Sequence, residues 1–343
     1  MFKKAGILED TFGRKIDYLR ISITDKCNYR CLYCMPKDGV ISISHKDILR
    51  IEEITRFVRI AAKEGIKTVR LTGGEPLVRK GIVDLVHEIS EIPGIENIAM
   101  TTNGALLPKY AKDLKEAGLS RVNISLDSLD PEKFNMVTRC GKLQDVFDGI
   151  DAAFEVGFDP IKINVVAIRG LEQNFFEFAA MSVDKPLHVR FIEYMPVGHS
   201  AGLEGCGWGA EDVISAEEII KKINATADEN SVPRILPLSD MFKPEGAGPA
   251  RYYSFPAAEG TVGFISAMSN HFCKTCNRMR LTADGKLRPC LFSDLEFDIR
   301  KALRENTNDD EAVRKVLREA LNNKPDAHHN QEGTARNMSQ IGG

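Results

Sequence analysis

The sequence predicts an α/β protein built on an incomplete, open (β/α)6 barrel with a C-terminal extension. Three observations lead there. Six short β-rich runs alternate with amphipathic helical segments through the first two-thirds of the chain. Several of those runs alternate polar with apolar residues instead of being apolar throughout. After Met195 the alternation stops and the composition changes.

The expected strands are 18–24, 68–72, 97–102, 121–127, 161–167 and 187–194. The expected helices between them are 47–64, 82–89, 108–117, 143–156 and 174–181. In the first helix Ile48, Ile51, Ile54, Val58 and Ile60 carry the helical spacing, and Gly65 stops it. Gly118 and Gly157 end two others in the same way. Strand–helix alternation of this period means βαβ units, right-handed crossovers and a parallel sheet. Six units are too few for the closed eight-unit barrel. An open barrel and a curved doubly wound sheet both satisfy the pattern.

The polar residues favour the trough of an open barrel. Side chains repeat with period two along a strand. One face therefore collects Arg20, Ser22 and Thr24, then Arg70 and Thr72, then Asn123, Ser125 and Asp127, then Lys162 and Asn164. The other keeps Leu19, Ile21, Ile23, Leu71, Ile124, Leu126, Ile161 and Ile163. Burying the polar rows in a dry core costs several kcal/mol per group. An exposed sheet face would tolerate them, but the helices are needed to cover the outside. A wet lumen that receives a charged ligand removes the cost.

Beyond Met195 lie a glycine-rich stretch at 198–209, a short helix at 217–223, and paired strands within 251–266 around Glu259-Gly260. Charged helices follow at 298–305 and 311–321. The polar end is expected to be poorly ordered without a ligand. The chain thus divides into a partial barrel (1–196), a C-terminal region (197–323) and a flexible tail (324–343).

Composition narrows the class. The 343 residues are 43% hydrophobic, enough for a sizeable core, and the formal net charge of −3 gives no footing for a nucleic-acid or polybasic membrane partner. No apolar run reaches membrane-spanning length, and the first ten residues lack the apolar centre of a secretory signal. The expectation is a soluble cytoplasmic protein, where clustered thiols hold metal more often than they form disulfides. Six of the eight cysteines fall into two groups of three: Cys27, Cys31 and Cys34, and Cys273, Cys276 and Cys290. Cys140 and Cys206 stand apart and read as buried or incidental residues.

The first group directly follows the first strand. Structural zinc takes four ligands, and the nearest histidine in sequence is His45. Three thiolates on a four-iron cluster instead leave one iron open to a ligand. Thr72-Gly73-Gly74-Glu75-Pro76 ends the second strand. Paired glycines let a backbone approach a ligand closely, and Glu75 can receive a cationic amine. On its own that motif is only a turn. Together, the spacing Cys-x3-Cys-x2-Cys with Tyr33 before the last cysteine, and Gly-Gly-Glu after the next strand, resemble the radical S-adenosylmethionine superfamily.

The second group surrounds Arg278, Arg280 and the hairpin signal Asp284-Gly285. A two-residue turn there would set Cys290 opposite Met279. Two arginines on a surface strand are ordinarily solvated. Beside a three-thiolate site and a polar lumen, they suit phosphates. No GxxxxGK[ST] loop is present, so a nucleotide would be held by scattered cations.

With both ends counted, the chain is similar over nearly its whole length to the members of the superfamily that cyclise GTP at the start of molybdenum cofactor biosynthesis. Tyr18-Leu19-Arg20-Ile21-Ser22, Asp25-Lys26-Cys27-Asn28, Cys34-Met35-Pro36, Thr101-Thr102-Asn103-Gly104, Asn123-Ile124-Ser125-Leu126-Asp127, Arg190-Phe191-Ile192-Glu193-Tyr194-Met195 and the final Ile341-Gly342-Gly343 carry the likeness. Gly170-Leu171-Glu172-Gln173-Asn174 departs from it, away from the chemistry.

The resemblance implies two [4Fe–4S] clusters and S-adenosylmethionine as cofactors. Cys27, Cys31 and Cys34 would hold the cluster that binds S-adenosylmethionine, and Cys273, Cys276 and Cys290 the second. Tyr33, Gly74, Glu75, Ser125 and Met195 would contact S-adenosylmethionine. Arg20, Arg70, Thr101, Lys162, Arg278 and Arg280 would contact GTP, with Arg20, Gly342 and Gly343 also assisting turnover. The implied product is 3′,8-cyclo-7,8-dihydro-GTP. An external one-electron donor, a downstream cyclic pyranopterin monophosphate synthase and a homodimer come with the resemblance. His328 and His329 read as solvated. A peptide-modifying radical enzyme and a two-zinc regulator are the competing classes. The first leaves Arg278 and Arg280 without a use, and the second leaves Gly73-Gly74-Glu75 without one.

Overall fold

The structure is a computed structural model and describes residues 6–197, 208–246, 248–305, 307–328 and 334–342. Six parallel strands follow one another in sequence order: β1 (Tyr18–Ser22), β2 (Thr68–Thr72), β3 (Asn97–Thr102), β4 (Arg121–Ser125), β5 (Ile161–Ala167) and β6 (Leu187–Glu193). The helices between them are α1 (Ile51–Glu64), α2 (Ile82–Ser90), α3 (Leu107–Glu116), α4 (Pro131–Thr138), α5 (Leu143–Glu155) and α6 (Phe175–Ala180). Thr24, Asp127 and Tyr194 lie just past the paired strands, where the chain turns into the loops that build the site.

Two helices differ from expectation. α1 starts at Ile51, four residues late, because the Asp47 carboxylate is tied up by Ser44 (2.6 Å) and Arg300 (3.0 Å). Glu53 accepts the Arg50 backbone N–H (2.8 Å) and starts the helix there. α4 was not expected at all, although its start signal is legible. Asp130 caps the N–H groups of Glu132 (2.9 Å) and Lys133 (2.8 Å), and Pro131 occupies the first turn.

The rest of the chain adds α7 (Ala216–Glu229), β7 (Leu236–Pro237), β8 (Arg251–Ser254), β9 (Thr261–Ile265), β10 (Arg278–Leu281), β11 (Lys286–Arg288), β12 (Phe297–Asp298), α8 (Ile299–Glu305), α9 (Asp310–Asn322) and α10 (Met338–Ile341). All twelve strands form one open sheet in the order β12-β11-β10-β1-β2-β3-β4-β5-β6-β9-β8-β7. The C-terminal region therefore extends both edges of the trough. β10 pairs parallel with β1, and β9 pairs parallel with β6. Each new edge ends in an antiparallel strand of only two residues, which leaves little exposed ladder.

The outer faces pack as the alternation requires. Leu19, Ile21, Ile23, Leu71, Ile124, Leu126, Ile161 and Ile163 are all buried, most of them in one core under the helices. The described residues of the tail are tied to the C-terminal region. Arg288 donates to Thr334 (2.7 Å), Arg336 pairs with Asp284 (2.9 Å) and Glu296 (2.6 Å), and residues 338–341 form a helical turn. Thr334 and Arg336 are thus matched to buried Arg288 and to half-buried Asp284 and Glu296, so polarity there signals docking.

Candidate active site

Strand register builds the chamber. Arg280, Arg20 and Arg70 stand side by side across β10, β1 and β2. Thr101, Asn123 and Lys162 form a second row across β3, β4 and β5. Arg70 donates to the Tyr18 hydroxyl and to Thr101 (3.2 Å). Arg190 donates twice to Asn164 (2.6 and 3.0 Å), and the Asn123 carboxamide oxygen faces Arg70 and Arg190. Lys162 is fully buried, with its ammonium on the carbonyls of Glu245 and Gly246 (3.0 Å).

These cations crowd one another and depress one another's pKa values. Burial, then Arg280 and Arg70, drives the Arg20 pKa well below its usual value. Burial, then Arg190 and Arg121, brings Lys162 down to about 6. Burial and neighbouring cations bring Arg280 to about 10 and His188 to about 4. Among the described residues the one carboxylate paired with a lumen cation is Glu245, 4.0 Å from Arg121 and itself exposed. A polyanion is the ligand such a chamber favours.

The first cysteine group sits past the carboxyl end of β1. Gly74 and Glu75 donate their backbone N–H groups to Thr24 O and Lys26 O (both 2.8 Å), locking the Gly-Gly turn against the cysteine loop. A Cβ on Gly74 would lie 2.3 Å from Lys26 O, so only glycine allows that approach. Glu75 sits at the inner side of this turn. It is 1% exposed, and its carboxylate accepts from Thr102 (2.7 Å), Asn103 N–H (2.7 Å) and Leu77 N–H (3.0 Å). It pins β3 to the turn through both of its oxygens. Burial lifts its pKa to about 7 against those three donors.

Tyr33 donates to Asp127 (2.6 Å), which also accepts the Val166 N–H (2.8 Å). Ser125 ends β4 half-buried, and Met195 packs with Val197, Phe292 and Ile341 of the tail. Burial raises Cys27 to about 11 and Cys34 to about 12, and Cys31 well above its usual value. Thiols so placed stay protonated until a metal supplies the charge that holds them as thiolates. Cys140 is exposed beside this loop, with its sulfur on Asn28 O (3.3 Å). Cys206 lies outside the described residues.

The second group flanks the β10–β11 hairpin, at the opposite end of the β1–β10 pair. Five residues of strand at about 3.3 Å each separate the two ends by roughly 17 Å. The hairpin register is Arg280↔Arg288, one residue away from that of a two-residue turn. Thr282 and Lys286 close the turn, and Gly285 takes a φ of +78°. Continued, that register sets Cys290 against Arg278 instead of Met279. The Arg278 guanidinium lies over the rings of Tyr18 (5.8 Å) and Phe272 (5.1 Å). Burial resists ionisation of Cys276, but Lys324 and Arg278 outweigh it and its pKa falls below the usual value. His328 is not solvated. It stacks on Phe292 (4.4 Å), and its donor atoms lie within 4.8 Å of those of His271 and Cys273. His329 lies outside the described residues.

The tail joins the two ends. Ser339 faces the Cys34 thiol, and Arg280 donates to Gly342 O (2.7 Å). A Cβ on Gly342 would lie 2.4 Å from Thr72 Oγ1. Gly343 lies outside the described residues. Sequence reasoning missed Tyr18, Arg121 and Arg190 as chamber residues. Arg190 follows His188 at period two on β6, and that signal was available.

An open parallel trough with a three-cysteine loop after its first strand defines a radical S-adenosylmethionine protein. Residues 21–179 match the radical SAM superfamily, and residues 187–330 match the family described as Molybdenum Cofactor Synthesis C. The chain is 50% identical over 339 residues to the GTP 3′,8-cyclase of Pelotomaculum thermopropionicum, covering 98% of this chain and all of that one. It is 48% identical over 341 residues to that of Alkaliphilus metalliredigens, again covering 98% of this chain and all of that one. The chain belongs to the GTP 3′,8-cyclase family. Streptococcus suis SuiB shares the fold at 15% identity, with a TM-score of 0.57 over 96% of this chain and 79% of that one. No helix among the described residues is long and apolar enough to cross a membrane.

Proposed function

We propose that this protein converts GTP to 3′,8-cyclo-7,8-dihydro-GTP, the opening step of molybdenum cofactor biosynthesis. The observation that carries the reading is a cation-lined chamber with a three-cysteine group at each end. The donor sets fit iron–sulfur clusters: three sulfurs on each side and one iron left for a small ligand. Cys27, Cys31 and Cys34 would hold the cluster that binds S-adenosylmethionine, and Cys273, Cys276 and Cys290 the second. Bound there, the first cluster and S-adenosylmethionine together supply a carbon-centred radical able to take hydrogen from ribose C3′.

The chain's own work is alignment and exclusion of water. Arg20, Arg70, Lys162, Arg278 and Arg280 would grip the triphosphate and ribose, with Thr101 fixing Arg70. Binding energy remote from the reacting carbon then serves to hold C3′ in place. Tyr33, Gly74, Glu75, Ser125 and Met195 would line the S-adenosylmethionine pocket. The Gly342-Gly343 end would close the chamber between the two sites. Functionally the chain reads as a radical-generating part (1–196), a substrate part (197–323) and a closing tail (324–343). A homodimer, an external electron donor, a downstream cyclic pyranopterin monophosphate synthase and a cytoplasmic setting complete the proposal.

The test is turnover under anaerobic, reducing conditions with S-adenosylmethionine. Formation of 5′-deoxyadenosine should depend on GTP and match the cyclised product. Cleavage indifferent to GTP, or brown colour replaced by zinc on elemental analysis, would end the reading.

A further inference from the structure

Lys324 follows α9 and is only 3% exposed. A buried ammonium group needs three acceptors, and it has them: Pro289 O (2.7 Å), Arg278 O (2.9 Å) and Cys276 Sγ (3.6 Å). Pro289 directly precedes Cys290, and Arg278 lies two residues after Cys276. One side chain therefore joins two cysteine-bearing segments that are separated by a hairpin.

The third segment has its own clamp. Arg14 donates to Cys273 O (2.8 Å), Asp326 O (2.9 Å) and Pro325 O (2.5 Å). Those last two carbonyls follow Lys324 directly in sequence. The two cations differ in one respect. Arg14 is neutralised by Asp10 at 2.6 Å. The partners of Lys324 among the described residues are two carbonyls and a sulfur, so its charge reaches the cysteine unscreened.

We propose that Lys324 is a positioning residue of the second cluster. It ties the Cys276 and Cys290 segments together and lays a buried positive charge beside the Cys276 sulfur, raising that cluster's reduction potential. The inference rests on the reading that Cys273, Cys276 and Cys290 hold an iron–sulfur cluster. Net charge and hydrogen bonds to the sulfurs set such potentials. Reduction adds an electron, and a nearby ammonium favours the more negative state.

The experiment is a redox titration of the full-length anaerobic protein followed by electron paramagnetic resonance. The two clusters are told apart by adding S-adenosylmethionine or GTP, each perturbing the one it binds. Wild-type protein must first show two clusters; a single cluster removes the underlying reading and this inference with it. In Lys324→Met, the second cluster's midpoint should move to more negative potential while the first stays fixed. Lys324→Arg, which keeps the charge, should move it back toward wild type. An unshifted midpoint in Lys324→Met overturns the inference. So does an equal shift in both variants, because packing would then be responsible. If Lys324→Met loses the second cluster's iron, retention of that iron in Lys324→Arg supports the clamp, and loss in both overturns it.

Discussion

The two cysteine groups have the same number of thiols and differently charged surroundings. Around the first, burial lifts the thiols, and Glu75 and Asp127 stand nearby to lift them further. Around the second, burial still lifts Cys273, but Lys324, Arg278 and Arg280 pull Cys276 below its ordinary range. The difference teaches that two groups with the same sulfur count can stand in walls of different charge. An acidic, hydrogen-bond-accepting wall suits a sulfonium with a free amine. A wall of guanidinium groups suits a triphosphate.

The largest effect should come from removing a ligand at the first end. Cys31→Ser should abolish cyclisation and lose about half the iron, leaving the second cluster's spectrum in place. Loss of both clusters together would mean that the two ends do not fold as separate sites, and the comparison would fail. Next comes Arg280→Ala. Removing a buried charge from a paired site costs roughly 2–5 kcal/mol, so the GTP dissociation constant should rise by about 30-fold or more. S-adenosylmethionine affinity, measured on the same protein, should hardly change. Equal losses for both ligands would break the division between the walls.

Much of this was legible before any coordinates. Period-two alternation alone selected Arg20, Arg70, Ser125 and Lys162, because a strand's geometry leaves no freedom about which side chains share a face. What failed were features set by chain segments far apart. Arg14 and Lys324 act on backbone carbonyls about 260 and 46 residues away, and no side-chain pattern encodes a carbonyl. Cys290's register depended on one residue of loop length, since Thr282 closes the turn where Asp284-Gly285 suggested a tighter one. The ties of Glu75 to Thr102 and Asn103 were not legible because those partners come from the end of the next strand and the residue after it. The ties of Thr334 and Arg336 were not legible because their partners Arg288, Asp284 and Glu296 lie 40 to 52 residues earlier.

A pH series sharpens the contrast further. Lys162 in the free protein has its pKa lowered to about 6, mainly by burial and then by Arg190. A bound triphosphate moves that pKa back up. Between the two values, binding must take up a proton, so GTP affinity should fall as pH rises above about 6, by up to tenfold per unit. Calorimetry in buffers of different ionisation enthalpy reads the uptake directly. Lys162→Met should flatten the slope. A slope that survives in this variant would move the titration elsewhere.

The smallest effect concerns the tail that touches both ends. Gly342 has a φ of +70°, a conformation that costs a residue with a Cβ about 1–2 kcal/mol. The added methyl of Gly342→Ala would also meet Thr72 Oγ1, which is buried and donates to Ile21 O (3.2 Å). Neither side can give way freely, so the Arg280–Gly342 contact should weaken and residues 338–341 should open more often. Amide exchange there should quicken by about tenfold, and cyclisation should slow while both clusters stay loaded. Protection that is unchanged at 338–341 would show that Ser339 and Ile341 hold the tail without the glycine. The link between the acidic and basic ends would then lie in the sheet alone, through the β1–β10 pair.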